Sequence, residues 1–259
     1  MNAEATQAHR LACLELRGGN HLATYAAELP GLAGWVSCRP LQPAASGGDM
    51  YYLSACSKGV VARVVLADVA GHGAVVSSAA MLLRDTLREH LDCWDQSMLI
   101  RRLNDSFLTV TADNRYATAF LASYYSVSGE LLFTNAGHLP PLWYRAARDE
   151  WSLLIENTPY SKQIVDLPLG LIAGTHYTQM AVQLEPGDLL LLYTDGISEA
   201  SDDSGEQLGL DRLLTIAKTL PTGSSAAAGQ SLLSAVENFR NGTPPTDDET
   251  IVALHRLAV

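Results

Sequence analysis

The sequence predicts an α+β fold, a sandwich of two antiparallel β-sheets flanked by helices. Three observations lead there. Apolar, β-branched or Leu-rich runs of strand length recur along the chain. They come in hairpins joined by turn signals, without the regular βαβ alternation of a doubly wound parallel sheet. Stretches rich in Ala and Leu, free of Gly and Pro, stand beside them and read as helices.

Residues 1–34 carry no strong period and are expected to be an N-terminal extension, packed on the domain or preceding it. Lys58 to Val69 (KGVVARVVLADV) reads as a buried strand running into the turn Gly71-His72-Gly73. Helices follow at 74–90 and 97–111, the first with Val75, Ala79, Leu82 and Leu83 on one face, the second with Ile100, Leu103, Phe107 and Leu108. Ala117 to Val127 and Glu130 to Thr134 flank Ser128-Gly129 as a hairpin. Residues 145–170 are the least regular and read as a loop or flap. Strands follow at Met180 to Leu184 and Asp188 to Thr194, joined by Glu185-Pro186-Gly187. Asp211 to Leu220 and Ala226 to Phe239 read as helices, and Thr250 to Leu257 as the closing strand. No Pro/Gly/Ser linker divides the chain, so one domain is expected over residues 1–259.

Composition narrows the function. The chain has 259 residues, 47% hydrophobic and 17% charged, which excludes a disordered tail. Its 17 Lys and Arg against 28 Asp and Glu leave a net charge of −11, and no basic stripe is present. Nucleic acid and anionic membranes are poor partners for such a surface. Cys13, Cys38, Cys56 and Cys93 are widely spaced, form no CxxC pair and read as free thiols in a reducing compartment. The N-terminus has no apolar signal core and no run approaches membrane-span length, so a cytoplasmic location is expected.

The acid excess has two readings, a solvated surface or carboxylates gathered around cations. Several acids share one setting, the edge of an apolar strand beside a turn. Asp49 follows Gly47-Gly48; Asp68 ends VVLAD; Asp195 ends LLLLYTD and precedes Gly196; Asp247 and Asp248 precede the closing strand. A single such Asp is commonly a turn former or a helix cap. Repetition of the setting favours an oxygen-donor site for a hard cation such as Mg²⁺ or Mn²⁺, with the glycines letting an ion approach the main chain. Two such ions can share an acidified water and direct it at phosphorus, so no Ser or Cys nucleophile is required.

These residues carry a resemblance. Gly47-Gly48-Asp49, Asp68-Val69-Ala70-Gly71-His72-Gly73, Ala117-Thr118-Ala119-Phe120, Asn135-Ala136-Gly137-His138-Leu139-Pro140-Pro141, Leu167-Pro168-Leu169-Gly170, Glu185-Pro186-Gly187-Asp188, Tyr193-Thr194-Asp195-Gly196 and Asp247-Asp248-Glu249-Thr250 occur in order. Together they resemble the stage II sporulation protein E-like serine/threonine phosphatases, the bacterial branch of the metal-dependent PP2C superfamily. The resemblance implies a PP2C-like sandwich that hydrolyses phosphoserine or phosphothreonine with two Mn²⁺ or Mg²⁺ ions. It implies that Asp68 bridges the ions and that the Val69 carbonyl ligates one. Asp195 and Asp247 hold the other, with Asp49 ligating directly or through water. Asp248 is the alternative to Asp247, or stands behind it. Gly48, Gly71, His72 and Gly196 line the same turns.

The resemblance also implies a phosphorylated STAS-domain anti-anti-sigma factor as substrate, within a partner-switching pathway. A regulatory protein or a second copy would then act on helices 74–90 and 97–111. A silent phosphoprotein-binding module and a small-molecule phosphoesterase are the alternatives. His72 and His138 read most simply as turn histidines, and otherwise as proton donors to the leaving oxygen. Tyr52 stands where relatives often carry Asp. The phosphate-binding arginine of the eukaryotic enzymes has no clear match, and Arg39 reads as a surface charge.

Overall fold

A computed structural model describes residues 8–12, 15–56, 59–71, 74–90, 93, 95–110, 115–154 and 166–258. In chain order these form β1 (His9–Arg10), β2 (Leu16–His21), β3 (Ala23–Leu29), β4 (Leu32–Arg39), β5 (Ser46–Cys56), β6 (Val61–Val69), α1 (Ala74–Glu89), α2 (Gln96–Val110), β7 (Ala117–Tyr125), β8 (Glu130–Ala136), β9 (Leu142–Arg145) and β10 (Glu150–Leu153). Then come β11 (Met180–Gln183), β12 (Leu189–Tyr193), α3 (Asp195–Ser198), α4 (Gly209–Ala217), α5 (Ser225–Arg240) and β13 (Glu249–Arg256).

The strands make two sheets, ordered β1-β3-β4-β13-β12-β9-β10 and β11-β8-β7-β6-β5-β2. Every assigned strand pair is antiparallel except β1 with β3. The α+β sandwich expected from sequence is therefore the observed architecture.

Period-2 alternation builds the layers. Leu53, Val64, Leu66, Phe120, Phe133, Leu190, Leu192, Val252 and Leu254 point inward from the two sheets and fill the layer between them. The intervening residues of β5, β6 and β7, among them Tyr52, Val65, Ala67 and Leu121, face outward and are covered by α1 and α2. On the opposite side Trp35, Leu191, Ile251 and Ala253 are covered by α4 and α5. Strands buried on both faces read as continuous apolar runs, which is why β6 and β12 stood out in the sequence.

Four expectations change. Residues 16–34 are not an extension: β2 closes one sheet beside β5, and β3 lies beside β4 in the other. Their small and polar residues have weak intrinsic strand preference, and neighbouring strands supply what local propensity lacks. The link Glu185-Pro186-Gly187 makes no hairpin, because β11 lies in one sheet and β12 in the other. The β7–β8 turn is wider than two residues, with the Gly129 N–H on the Tyr125 carbonyl at 2.7 Å. Within 145–170, a short strand β10 pairs with β9, while 155–165 lie outside the described residues.

The α1 face consists of Val76, Ala79, Ala80, Leu83 and Leu87, with Leu82 partly buried; the Val75 side chain lies outside the described residues. In α2, Ile100, Leu103 and Phe107 are buried as expected.

Candidate functional site

The site arises where the inward rows change chemistry. In β5 the row reads Leu53, Tyr51, then Asp49; in β6 it reads Val64, Leu66, then Asp68. In β7, Phe120 gives way to Thr118; in β12, Leu192 gives way to Thr194; in β13, Val252 gives way to Thr250 and Asp248. At one end of the inter-sheet layer the apolar stripe is thus replaced by carboxylates and hydroxyls. Asp49 and Asp68 are direct partners across β5 and β6, and Asp68 also faces Thr118 on β7. Directly paired residues hold their Cβ atoms about 5 Å apart.

The two sheets are joined here. Thr194 Oγ1 donates a 2.6 Å hydrogen bond to Oδ2 of Asp49, and the Thr250 N–H donates to Thr194 Oγ1 at 3.0 Å. Asp49 is 2% exposed, and burial, then the nearby Asp68 carboxylate, push its carboxyl well above the usual range. Asp68 is pushed up to about 8, first by burial and then by Asp195, Asp247 and Asp248. Asp195 opens α3 and is pushed up to about 6, by burial and then by Asp247 and Glu199. Asp68 therefore lies within electrostatic reach of the other four acids.

Asp247 and Asp248 do different things. Asp248 is buried, and its carboxylate accepts from three backbone N–H groups: Leu41 at 2.6 Å, Gly48 at 2.5 Å and Asp49 at 3.4 Å. It clasps the β13 turn to the start of β5. Asp247 is exposed, and its Oδ1 accepts from the Asp248 N–H at 2.8 Å.

The glycines are explained by Asp248 more than by close approach of an ion. A Cβ on Gly47 would lie 2.2 Å from Asp248 Oδ2, and one on Gly196 2.0 Å from the Asp248 carbonyl. Gly48 has its own constraint, since a Cβ there would lie 2.6 Å from Val76 Cγ1 and 2.9 Å from the Val69 carbonyl oxygen. That carbonyl, expected as a ligand, faces the Gly48 backbone. Gly71 sits at φ +112°, a conformation few side chains tolerate, and Arg115 Nη1 lies 3.3 Å from where its Cβ would be.

His138 is buried. Its Nδ1 lies 2.8 Å from Thr118 Oγ1, and burial lowers its pKa to about 4, which keeps the ring neutral. Asn135 brackets it, accepting from the His138 N–H at 2.6 Å and donating to its carbonyl at 2.9 Å. It stands one hydrogen bond behind Thr118, itself opposite Asp68. His72 lies outside the described residues. Arg39 is held by Glu237 at 2.5 Å.

Sequence reasoning did not single out Thr118, Thr194, Thr250 or Asn20. The three threonines occupy inward alternation positions next in line after apolar residues, a signal present in the sequence. Asn20 had none: it is fully buried and donates to the Gly47 carbonyl and to Ser77 Oγ, both at 2.9 Å, tying α1 to the Asp49 turn.

The donor set is all oxygen. Crowded carboxylates whose ionisation is opposed by burial and by one another suit a hard divalent cation, which removes that opposition. Among the described residues no three acidic, His or Cys side chains stand in chelating geometry as they are. Also among them, no helix is long and apolar enough to cross a membrane.

The family described as Stage II sporulation protein E matches residues 59–257. That span includes Asp68, Asp195, Asp247 and Asp248 and begins after Asp49. The chain is 26% identical over 172 residues to "Phosphoserine phosphatase RsbU" of Bacillus subtilis (strain 168), covering 64% of this chain and 48% of that protein. It therefore spans about half the length of this curated relative. The SiaA-PP2C domain of Pseudomonas aeruginosa superposes with a TM-score of 0.70 at 18% identity, covering 87% of this chain and 85% of that one. RsbX, solved in complex with magnesium, superposes at 0.65 with 14% identity, covering 90% and 99%. These structures share the fold.

Proposed function

The chain belongs to the stage II sporulation protein E family, and from that premise we propose that it is a divalent-metal-dependent phosphatase of phosphoserine or phosphothreonine in proteins. The observation that carries the reading is the convergence of Asp49, Asp68, Asp195, Asp247 and Asp248 at one end of the inter-sheet layer.

Asp68, Asp195 and Asp247 are the proposed holders of two Mn²⁺ or Mg²⁺ ions, with the Val69 carbonyl and Asp49 completing the set. Such ions, when bound, supply an acidified water to attack phosphorus and neutralise charge growing on the phosphoryl oxygens. The chain's own residues prepare that chemistry. Asp68 is central because it faces Asp49 and Thr118 in register and is influenced by Asp195, Asp247 and Asp248. Thr194 holds Asp49 in place, and Asp248 holds the Gly47-Gly48 turn. His138 Nδ1 meets Thr118 Oγ1, which assigns it to orienting Thr118, and burial, by disfavouring the charged ring, opposes a proton-donor role.

The finer reading places the substrate among phosphorylated STAS-domain anti-anti-sigma factors of a cytoplasmic partner-switching pathway, supported by the similarity to RsbU. Control through α1 and α2 belongs to the same reading, because α1 follows the Asp68 turn within a few residues.

The test is hydrolysis of p-nitrophenyl phosphate and of a phosphoserine STAS protein, with and without Mn²⁺. Turnover that needs metal and is lost in Asp68→Asn and Asp195→Asn is expected. Metal-independent turnover, or none from a metal-loaded protein, overturns the reading.

A further inference from the structure

A cavity of about 490 Å³ lies beside the carboxylates, with Asp247 in its wall. Its sides are Leu22, Pro40, Leu41, Pro244 and Pro245. A second cavity of about 290 Å³ shares Leu41 and Asp247 with it and continues past Gly47 to Asp248. The two form one groove that ends at the candidate active site.

The groove's chemistry selects its occupant. Apart from Asp247, which belongs to the carboxylate centre, its charged lining is internally paired: Arg240 is bonded to Glu249 with side chains 6% and 3% exposed, and Arg39 is paired with Glu237 at the edge. Paired charges leave little net field to draw in a phosphate or an ionised side chain. Proline walls have few conformations to lose, so the groove is formed in advance of binding. One wall is also tied to the site, through the Leu41 N–H on Asp248 Oδ1 at 2.6 Å. Leu22 stands 69% exposed at the mouth, an apolar side chain without cover.

We propose that this groove receives an apolar side chain of the substrate polypeptide, within a few residues of the phosphorylated serine or threonine. The proposal rests on the phosphatase reading and adds a specificity determinant: the groove reads the sequence beside the phosphate while the carboxylate centre acts on the phosphate itself. The argument for this occupant is continuity. A chain whose phosphate lies at Asp68 and Asp247 has its neighbouring residues at the mouth of the larger cavity.

The experiment uses the full chain with Mn²⁺ and a panel of phosphoserine peptides. Each carries one leucine at one of three positions on either side of the phosphoserine, against a parent with serine there. p-Nitrophenyl phosphate serves as reference. One position is expected to raise kcat/KM about tenfold or more, the scale on which an apolar pocket discriminates. In Leu22→Glu and Pro244→Glu, both at exposed positions, the ratio of leucine-peptide to p-nitrophenyl phosphate turnover should fall about tenfold. A flat panel, or an advantage that survives both substitutions, overturns the docking proposal alone; p-nitrophenyl phosphate turnover with no peptide hydrolysed overturns it together with the protein-substrate part of the phosphatase reading. No turnover of any substrate overturns the phosphatase reading, and this proposal with it.

Discussion

Thr194 Oγ1 donates to Asp49 Oδ2 at 2.6 Å, joining residues 145 positions apart on facing sheets. The same hydroxyl accepts from the Thr250 N–H, so one oxygen serves β5, β12 and β13 at the mouth of the inter-sheet layer. Thr194→Val keeps the shape and removes both bonds. Leaving buried polar groups unpaired costs about 1–3 kcal/mol, so the variant should unfold at lower urea than wild type. Unchanged unfolding would contradict the clasp.

Neighbouring acids should separate by phenotype. Asp248→Ala strands three backbone N–H groups and should lose about 2–4 kcal/mol of stability. Asp247→Asn is exposed and should stay within about 0.5 kcal/mol of wild type while losing metal-dependent turnover. Chemical denaturation and p-nitrophenyl phosphate kinetics on both variants check the pair. The reverse pattern would exchange their assigned roles.

Gly196→Ala places a methyl group 2.0 Å from the Asp248 carbonyl, a main-chain atom that cannot swing away. Forced backbone displacement of this kind costs about 1–3 kcal/mol or more. Gly223→Ala, where a Cβ meets nothing within 4 Å, is the control and should be near neutral. Equal melting temperatures for the two variants would remove the steric argument.

Burial and mutual repulsion raise the site carboxylates. The metal-free folded chain then binds more protons than the unfolded chain between the ordinary Asp value of 3.8 and the value of about 8 at Asp68. Its stability contribution from this site therefore falls as pH rises through that window. Mn²⁺ should reverse the trend, because the ions favour the deprotonated form. Melting temperatures at pH 5, 6.5 and 8, with and without Mn²⁺, give the comparison, and a metal shift that failed to grow with pH would count against the site.

His138 pulls the other way. Its folded pKa of about 4 lies below the ordinary 6.5, so the unfolded chain binds the extra proton first. Stability from this residue is complete above pH 6.5 and is lost as pH falls towards 4, by about 3 kcal/mol in full. Relative to His138→Gln, wild type should lose stability over that interval. Parallel pH profiles would exclude the buried neutral ring.

The layered fold was legible in the order of residues, because doubly buried strands such as β6 and β12 announce themselves as apolar runs and α1 and α2 by their apolar faces. The sequence also marked Asp49, Asp68, Asp195 and Asp247, the acids proposed to hold the ions, and Asp248 beside them, since Asp at the end of a buried strand is costly without compensation. It could not show that Leu16 to Leu29 join both sheets, because those residues form strands only when neighbours supply their hydrogen bonds. Nor could it divide Asp247 from Asp248. Adjacent in sequence and identical in chemistry, they differ only in what the fold brings to them: three backbone N–H groups from distant turns for Asp248, and solvent beside Asp195 for Asp247. The tertiary structure decided that, because a carboxylate's role is set by the donors and charges around it, and here these come from residues some 50 to 200 positions away.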